Sequence, residues 1–319
     1  MIPDVYLRGV GFSLGSGPLI IKAHNAKVTD RSARPVTVNS MPPMSPSNQD
    51  QALSANWLEI CRRIVEKQRD LFGESNTVAE RDDYDGIGEG GDHTLVLDRQ
   101  CEDIVFAELD LLAEEGAAFT AISEERGTVE FNGGGESWVV IDPIDGSLNV
   151  RRTLPSHSLS IAVSSAPNMA AVEFGYVYDF GPREEFWAQS EVGAYRNDEQ
   201  FKVVPSEGLE VVGVEGAEPS AIIPILEKLN GKMYRLRCVG SLAITLSYVG
   251  CNRFDGMISP HPSRSVDVAA AQLIAREAGA FVALGDDGLS QVGFELDQRF
   301  SVTAANSPEG LETLLSSRG

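Results

Sequence analysis

Trp138-Val-Val-Ile141-Asp142-Pro143-Ile144-Asp145-Gly146-Ser147-Leu148-Asn149 is the stretch on which the reading of this chain turns. Its apolar opening reads as a buried strand, which runs into two carboxylates three positions apart with Pro143 fixing the backbone between them. Gly146 permits a tight turn, and Gly146-Ser147 is suited to open a helix. Such a turn can point Asp142, Asp145 and the Ile144 carbonyl to one side, and these are hard oxygen donors of the kind magnesium takes. Amides at a new helix N-terminus would stand beside them and suit an anion. Metals and amides at one point make a phosphate site. The same letters also describe an ordinary Asp-Pro and Asp-Gly turn after a strand, and the stretch alone does not choose.

Further acidic elements lie on either side. Ile122-Ser123-Glu124-Glu125 puts a carboxylate at a strand end about 18 positions before Asp142. Val266-Asp267-Val268-Ala269-Ala270 sets a lone acid at the start of an otherwise apolar helix, where it also reads as a cap. Asp92 and Asp98 flank His-Thr-Leu-Val-Leu and read either as ligands or as solvated acids.

Around these motifs the chain divides in three. Residues 1–48 are Gly/Ser- and Pro-rich and read as a flexible or partly ordered extension, with no secretory signal because Asp4 occupies the expected basic region. A helix follows, with Leu53, Trp57, Ile60, Cys61, Ile64 and Val65 on one face and Ser47 and Asp50 as its cap. Asp82 to Asp92 is polar and predicts an exposed loop. A second helix begins near Asp98 and stops at Gly116. From Phe119 to about Val204 short apolar runs (FTAIS, TVEF, SWVVI, HSLSIAV, VEFGYVYD, EEFWA, FKVV) predict strands. Beyond about residue 205 strands alternate with helices near 218–230, at Gly240-Ser241, over Ser265–Ala278 and after Ser307. The expectation is an α/β protein with an α+β half over 49–205, holding the metal site, and an α/β half over 206–319 that completes it.

Composition narrows the partners. The chain has 319 residues, 47 acidic against 26 basic, for a formal charge of −21. No basic face is indicated for a phosphate backbone or an anionic bilayer, and no run nears the roughly 20 apolar residues of a membrane span, so neither nucleic acid nor membrane is expected as a partner. Cys61, Cys101, Cys238 and Cys251 are scattered and read as free thiols of a reducing cytoplasm. His24, His93, His157 and His261 form no zinc pattern.

The ordered set ISEE, DPIDGSLN and SVDVAAAQLIAREAGA resembles the inositol monophosphatase and fructose-1,6-bisphosphatase superfamily of magnesium-dependent, lithium-sensitive phosphatases, most nearly the archaeal type that handles both substrates. The resemblance runs from about residue 50 to the C-terminus. It implies a layered α-β-α-β-α sugar-phosphatase fold, a homodimer, and hydrolysis of a small polyol or sugar phosphomonoester by metal-activated water. It further implies that Glu124, Asp142 and the Ile144 carbonyl hold one magnesium, that Asp142, Asp145 and Asp267 hold a second, and that a third lies near Glu124 and Asp98. Gly146 and Ser147 would bind phosphate through their amides. Ser147 stands where threonine is more usual and, with Asp98 or Glu124, would orient the water.

Substrate contacts are less determined. Gly240 and Ser241 match the helix start that borders the substrate ring in the family. Arg235, Arg237 and Arg264 are candidates to clamp a second phosphate, and each reads equally as a surface arginine. Pro260-His261-Pro262-Ser263 lacks the acid that contacts the ring in the inositol-specific branch, which tilts the expectation toward sugar phosphates or loose specificity. The alternatives are a nucleotide phosphatase of the same superfamily, acting on adenosine 3′,5′-bisphosphate or NADP, and a non-catalytic phosphate binder. An aspartyl-nucleophile phosphatase would want D-x-D-x-[ST], and DPID has the wrong spacing.

Overall fold

The computed structural model describes residues 48–74, 77–81, 84–87, 93–216, 218–286 and 288–318. The expected extension lies outside these residues except for Asn48, as do Ser47 and Asp92. The helical periodicity after residue 48 yields two helices rather than one, α1 (Asn48–Ser54) and α2 (Trp57–Glu74). The break falls at Ala55-Asn56, where the Asn56 side chain accepts the Glu59 amide at 3.4 Å and starts the second helix. Within the stretch predicted as a loop lies β1 (Tyr84–Ile87), which pairs with β2 (His93–Leu95) just beyond it. Then comes α3 (Val96–Glu114), ended by Gly116 at φ +105° as predicted.

The strand region comprises β3 (Phe119–Ser123), β4 (Gly127–Phe131), β5 (Trp138–Asp145), the short α4 (Ser147–Arg151), β6 (Ser158–Ser164), β7 (Val172–Asp179), β8 (Glu184–Gln189), β9 (Gly193–Arg196) and β10 (Glu199–Phe201). These make one eight-stranded sheet in the order β10-β9-β8-β7-β6-β5-β3-β4, antiparallel except where β3 runs parallel to β5. The run FKVV ends as a strand at Phe201. Beyond it the Val203 amide turns to the Ala278 carbonyl and the Val204 amide to the Asn252 side chain, so the chain leaves the sheet.

A second sheet, in the order β12-β11-β13-β15-β14, is built from β11 (Leu209–Val214), α5 (Pro219–Leu229), β12 (Met233–Arg237), α6 (Leu242–Gly250), β13 (Gly256–Ile258), α7 (Ser265–Ala278), β14 (Phe281–Leu284), β15 (Val302–Ala305) and α8 (Pro308–Arg318). Helices α2 and α3 cover one face of the large sheet, α6 and α7 lie between the sheets, and α5 and α8 cover the far face of the small one. The result is five layers, α-β-α-β-α.

Strand alternation explains the layering. Val139 and Ile141 of β5 join the cluster under α2 and α3, while Val140 joins the cluster around α7. With both faces covered, β5 and β6 are almost wholly buried, which is why they read as unbroken apolar runs. Between two sheets α7 has no solvent face, and Val266, Val268, Leu273 and Ile274 with a row of alanines bury on all sides. Small residues let it approach closely. A Cβ added at Gly175 of β7 would stand 2.6 Å from the Ala270 carbonyl oxygen. Gly175→Ala is therefore expected to lower stability by about 1–3 kcal/mol, read as a shifted urea midpoint at constant slope. An unchanged midpoint would mean that α7 rides further from the sheet than this packing has it.

Candidate active site

The same alternation assembles the acids. Ile122 faces α7, so Glu124, two positions on, continues toward that side; Val140 faces α7, and so does Asp142. Ile122 is the parallel neighbour of Val140, which brings the two carboxylates abreast at the C-terminal ends of β3 and β5. Asp267, in the first turn of α7, meets them from the opposite layer. Ligand oxygens of Glu124, Asp142 and Asp267 all lie within 4.8 Å of one another.

Three acids in so small a space are held under electrostatic strain. Burial and the neighbouring Glu124, Asp145 and Asp267 charges hold the Asp142 carboxyl well above the ordinary carboxylate range. Burial pushes Glu124 up to about 8, with Asp267 and Glu125 adding to the effect and Arg264 opposing it. Arg264 enters the cluster itself: its Nη1 lies 2.5 Å from Glu124 Oε1 and its Nη2 3.2 Å from Asp267 Oδ1. Burial alone would weaken its charge, yet Asp267, Glu124 and Asp142 together hold it firmly protonated.

Asp145 stands beside this group rather than in it. Its Oδ2 accepts the Ser241 hydroxyl and the Ala243 amide, both at 2.7 Å, so it seats the N-terminus of α6 on the end of β5. Burial, with repulsion from Asp267, pushes its carboxyl up to about 7 despite those bonds. Gly146 caps α4 at φ +99°, and a Cβ there would lie 2.9 Å from the Gly240 carbonyl oxygen. Ser147 opens α4 at partial exposure. The Ile144 amide donates to Asp142 Oδ1 at 2.9 Å and fixes that rotamer.

A cleft of about 500 Å³ opens here, with Asp145, Gly240, His261, Arg264 and Asp267 among its walls. Three further residues hold this region in place, and two of them, Glu215 and Glu102, were not singled out by sequence reasoning. Glu215, buried at the end of β11, accepts the amides of Val239 (3.0 Å) and Gly240 (2.8 Å) and the Thr245 hydroxyl (2.7 Å). Asn149 donates to the carbonyls of Ser156 (2.6 Å) and Val239 (2.8 Å), joining the α4 turn to the same loop. Glu102, wholly buried on α3, accepts the Ser123 hydroxyl and the Arg126 amide and so pins the turn that carries Glu124. The only sequence signal for Glu215 and Glu102 was a polar residue within an apolar context, whereas Asn149 belongs to the DPIDGSLN motif.

The structure thus gathers Glu124, Asp142, Asp267, Asp145, Gly146, Gly240, Ser241 and Arg264 in one region. Asp98 is buried near the start of α3 and lies outside the three-carboxylate group. Arg235 stacks on Tyr234 at 3.7 Å and lines a different hollow, with Ile223 and Leu226. Arg237 bonds the Leu236 carbonyl and does not line the cleft.

Comparison with known proteins meets this geometry. The model of the inositol monophosphatase family matches residues 48–318. A fructose-1,6-bisphosphatase/inositol-1-monophosphatase of Archaeoglobus fulgidus is 32% identical over 253 residues, covering 78% of this chain and 93% of that protein. An inositol-1-monophosphatase of Mesorhizobium japonicum is 32% identical over 233 residues, covering 68% and 84%. The crystal structure of an inositol monophosphatase–fructose 1,6-bisphosphatase superposes with a TM-score of 0.72 at 26% identity, covering 82% of this chain and all of that one. With the acidic triad and the five-layer fold already in place, the match over nearly all the described residues makes this chain a member of the inositol monophosphatase family, and a phosphatase.

Proposed function

We propose that this enzyme hydrolyses phosphomonoesters of small polyols or sugars with magnesium, inositol monophosphate and fructose 1,6-bisphosphate being the first substrates to test. The observation that carries the reading is the set of three carboxylate oxygens within 4.8 Å of one another beside the cleft wall. The donors fit a hard divalent ion: all are carboxylates, none is soft, and their mutual repulsion needs a cation to balance it. In this reading Glu124 and Asp142 with the Ile144 carbonyl hold one ion, and Asp142, Asp145 and Asp267 a second. Asp98 with Glu124 serves a third. The segment 49–205 supplies most of these ligands, and 206–319 supplies Asp267 and most of the cleft wall.

Bound divalent ions neutralise phosphate charge and acidify water, which this reaction needs because a phosphate dianion repels a nucleophile. The protein's own groups do the placing. The amides of Gly146 and Ser147 receive the phosphate, and the Ser147 hydroxyl with Glu124 or Asp98 orients the attacking water. Asp145 keeps its Oδ2 on Ser241 and Ala243, so Oδ1 is its remaining ligand atom. Gly240 and Ser241 border the sugar or polyol. Arg264 fits a place at the cleft better than Arg235 or Arg237 do. A homodimer, a reducing cytoplasm and sensitivity to lithium complete the proposal.

Phosphate release from inositol 1-phosphate, fructose 1,6-bisphosphate, adenosine 3′,5′-bisphosphate and NADP tests it. EDTA is expected to abolish turnover and magnesium to restore it, and Asp142→Asn to lower the rate at least about a hundredfold with the fold intact. A near-normal rate in that variant would defeat the scheme, and preference for the nucleotides would move the substrate class.

A pH dependence of stability follows from the raised carboxyls. Unfolded carboxyls titrate near 4, whereas Glu124 and Asp145 in the fold stand at about 8 and 7. Between those limits the folded protein binds more protons than the unfolded chain, so its stability falls as pH rises through 7 to 8. Burial holds His157 down to about 4. Its contribution has the opposite sign and is complete by about pH 6.5. In EDTA the unfolding temperature is expected to fall from pH 6.5 to 8.5, and saturating magnesium to flatten that slope. A flat profile in EDTA would show that the acids are already ionised at pH 6.5.

A further inference from the structure

Arg264 contacts two of the three carboxylates that make up the triad, Glu124 at 2.5 Å and Asp267 at 3.2 Å. All three side chains are less than a fifth exposed, so these ion pairs are poorly screened by solvent. The guanidinium takes up oxygens on which, in the reading above, divalent ions depend. It also lies on the cleft wall beside His261 and Gly240.

We propose that Arg264 is a resident counter-ion that competes with divalent metal for Glu124 and Asp267 and is displaced from them when metal binds. This rests on the triad being the metal site. Charge counting supports it. Glu124, Asp142, Asp145 and Asp267, when ionised, carry four negative charges. One guanidinium leaves three, which keeps the pocket short of cation. Two divalent ions balance all four, and the net attraction that held the arginine in its place is gone.

The backbone is suited to such an exchange. Ser263, next to Arg264, is locked to Phe300 by two hydrogen bonds of 2.7 and 3.2 Å. The Arg264 amide itself donates to Asp267 Oδ2 at 3.3 Å. Side-chain rotation alone therefore moves the guanidinium off its partners, with no change in the course of the chain. Without metal, once Glu124 has lost its proton, the same contact keeps Glu124 and Asp267 from repelling each other apart, so the pocket keeps its shape at the expense of metal affinity.

Calorimetric titration of Mg²⁺ into metal-stripped protein, without substrate, tests this on wild type, Arg264→Gln, Arg264→Lys and Asp142→Asn. Arg264→Gln is expected to bind Mg²⁺ about tenfold tighter or more, because the competitor is gone and the acids repel each other more strongly without it. Its unfolding temperature in EDTA should drop below that of wild type, and its rise on adding Mg²⁺ should be larger. Arg264→Lys keeps the charge but loses the two-pronged contact, so its affinity should fall between the two. That variant carries the test should Arg264→Gln fail to fold without metal. Wild-type binding lost in Asp142→Asn, together with equal or weaker binding in the Arg264 variants, would overturn the competition alone. Wild type and Asp142→Asn behaving alike toward Mg²⁺ would overturn the metal site and this inference with it.

Discussion

Repulsion among buried carboxylates is the constraint around which the rest of this structure is arranged. Glu124 and Asp142 stand abreast because β3 and β5 are parallel neighbours in register, and Asp267 is brought against them by the helix between the sheets. None of these positions is set by attraction among the acids themselves. Each is imposed by apolar packing on the same strand or helix: Ile122 and Val140 behind the first two, Val266 and Val268 on either side of the third. Hydrophobic burial of this extent readily outweighs like-charge repulsion, provided that a proton or a cation relieves part of it.

Helix α7 links that constraint to the cleft. It is made largely of alanines and other apolar residues because it is clamped between an eight-stranded and a five-stranded sheet, and close approach at Gly175 leaves it little room to shift. Its first turn is consequently a rigid platform for Asp267. Across the cleft, α6 is seated by Asp145, and the loop before it is held by Glu215 and by Asn149. Asp145 and Glu215 thus each hold backbone amides of the loop and helix start around α6, while Glu124, Asp142 and Asp267 converge on one another. The distinction separates acids that organise the backbone from acids held chiefly against one another and against Arg264.

What could be read from the sequence follows the same division. The buried strand into DPID, the helix over Ser265–Ala278 and the stop at Gly116 rest on periodicity and local turn chemistry, and the structure has all of them. The break between α1 and α2 was missed because the apolar repeat runs across it, and the asparagine that starts the second helix is a weaker signal than the repeat. Strand β9 (GAYR) is too short and too mixed in character to show an alternation, and β1 lies within a segment whose composition reads as loop. The acids of the triad were legible as motif members. Glu215 and Glu102 were not, because a lone acid beside an apolar run looks the same whether it caps, pairs or binds. Arg235, Arg237 and Arg264 have equal standing in the sequence. Only the packing distinguished Arg264, inside the cluster, from Arg235, stacked on its neighbouring tyrosine.

Net charge and local charge point in different directions here. A formal −21 argues against polyanionic partners, since a long phosphate backbone samples the whole surface and meets repulsion over most of it. A small phosphate ester samples only the pocket it enters. In the proposed reading the acids drawn into that pocket are there to bind cations, and once balanced they no longer repel the ligand, leaving the Arg264 charge as the surplus. Arg264 makes the point in miniature. Among uncompensated carboxylates it is held fast, and among compensated ones the same charge becomes surplus. The sign of the field that a phosphate meets is therefore set by the occupancy of a few oxygens, and the 47 acids of the chain as a whole have little say in it.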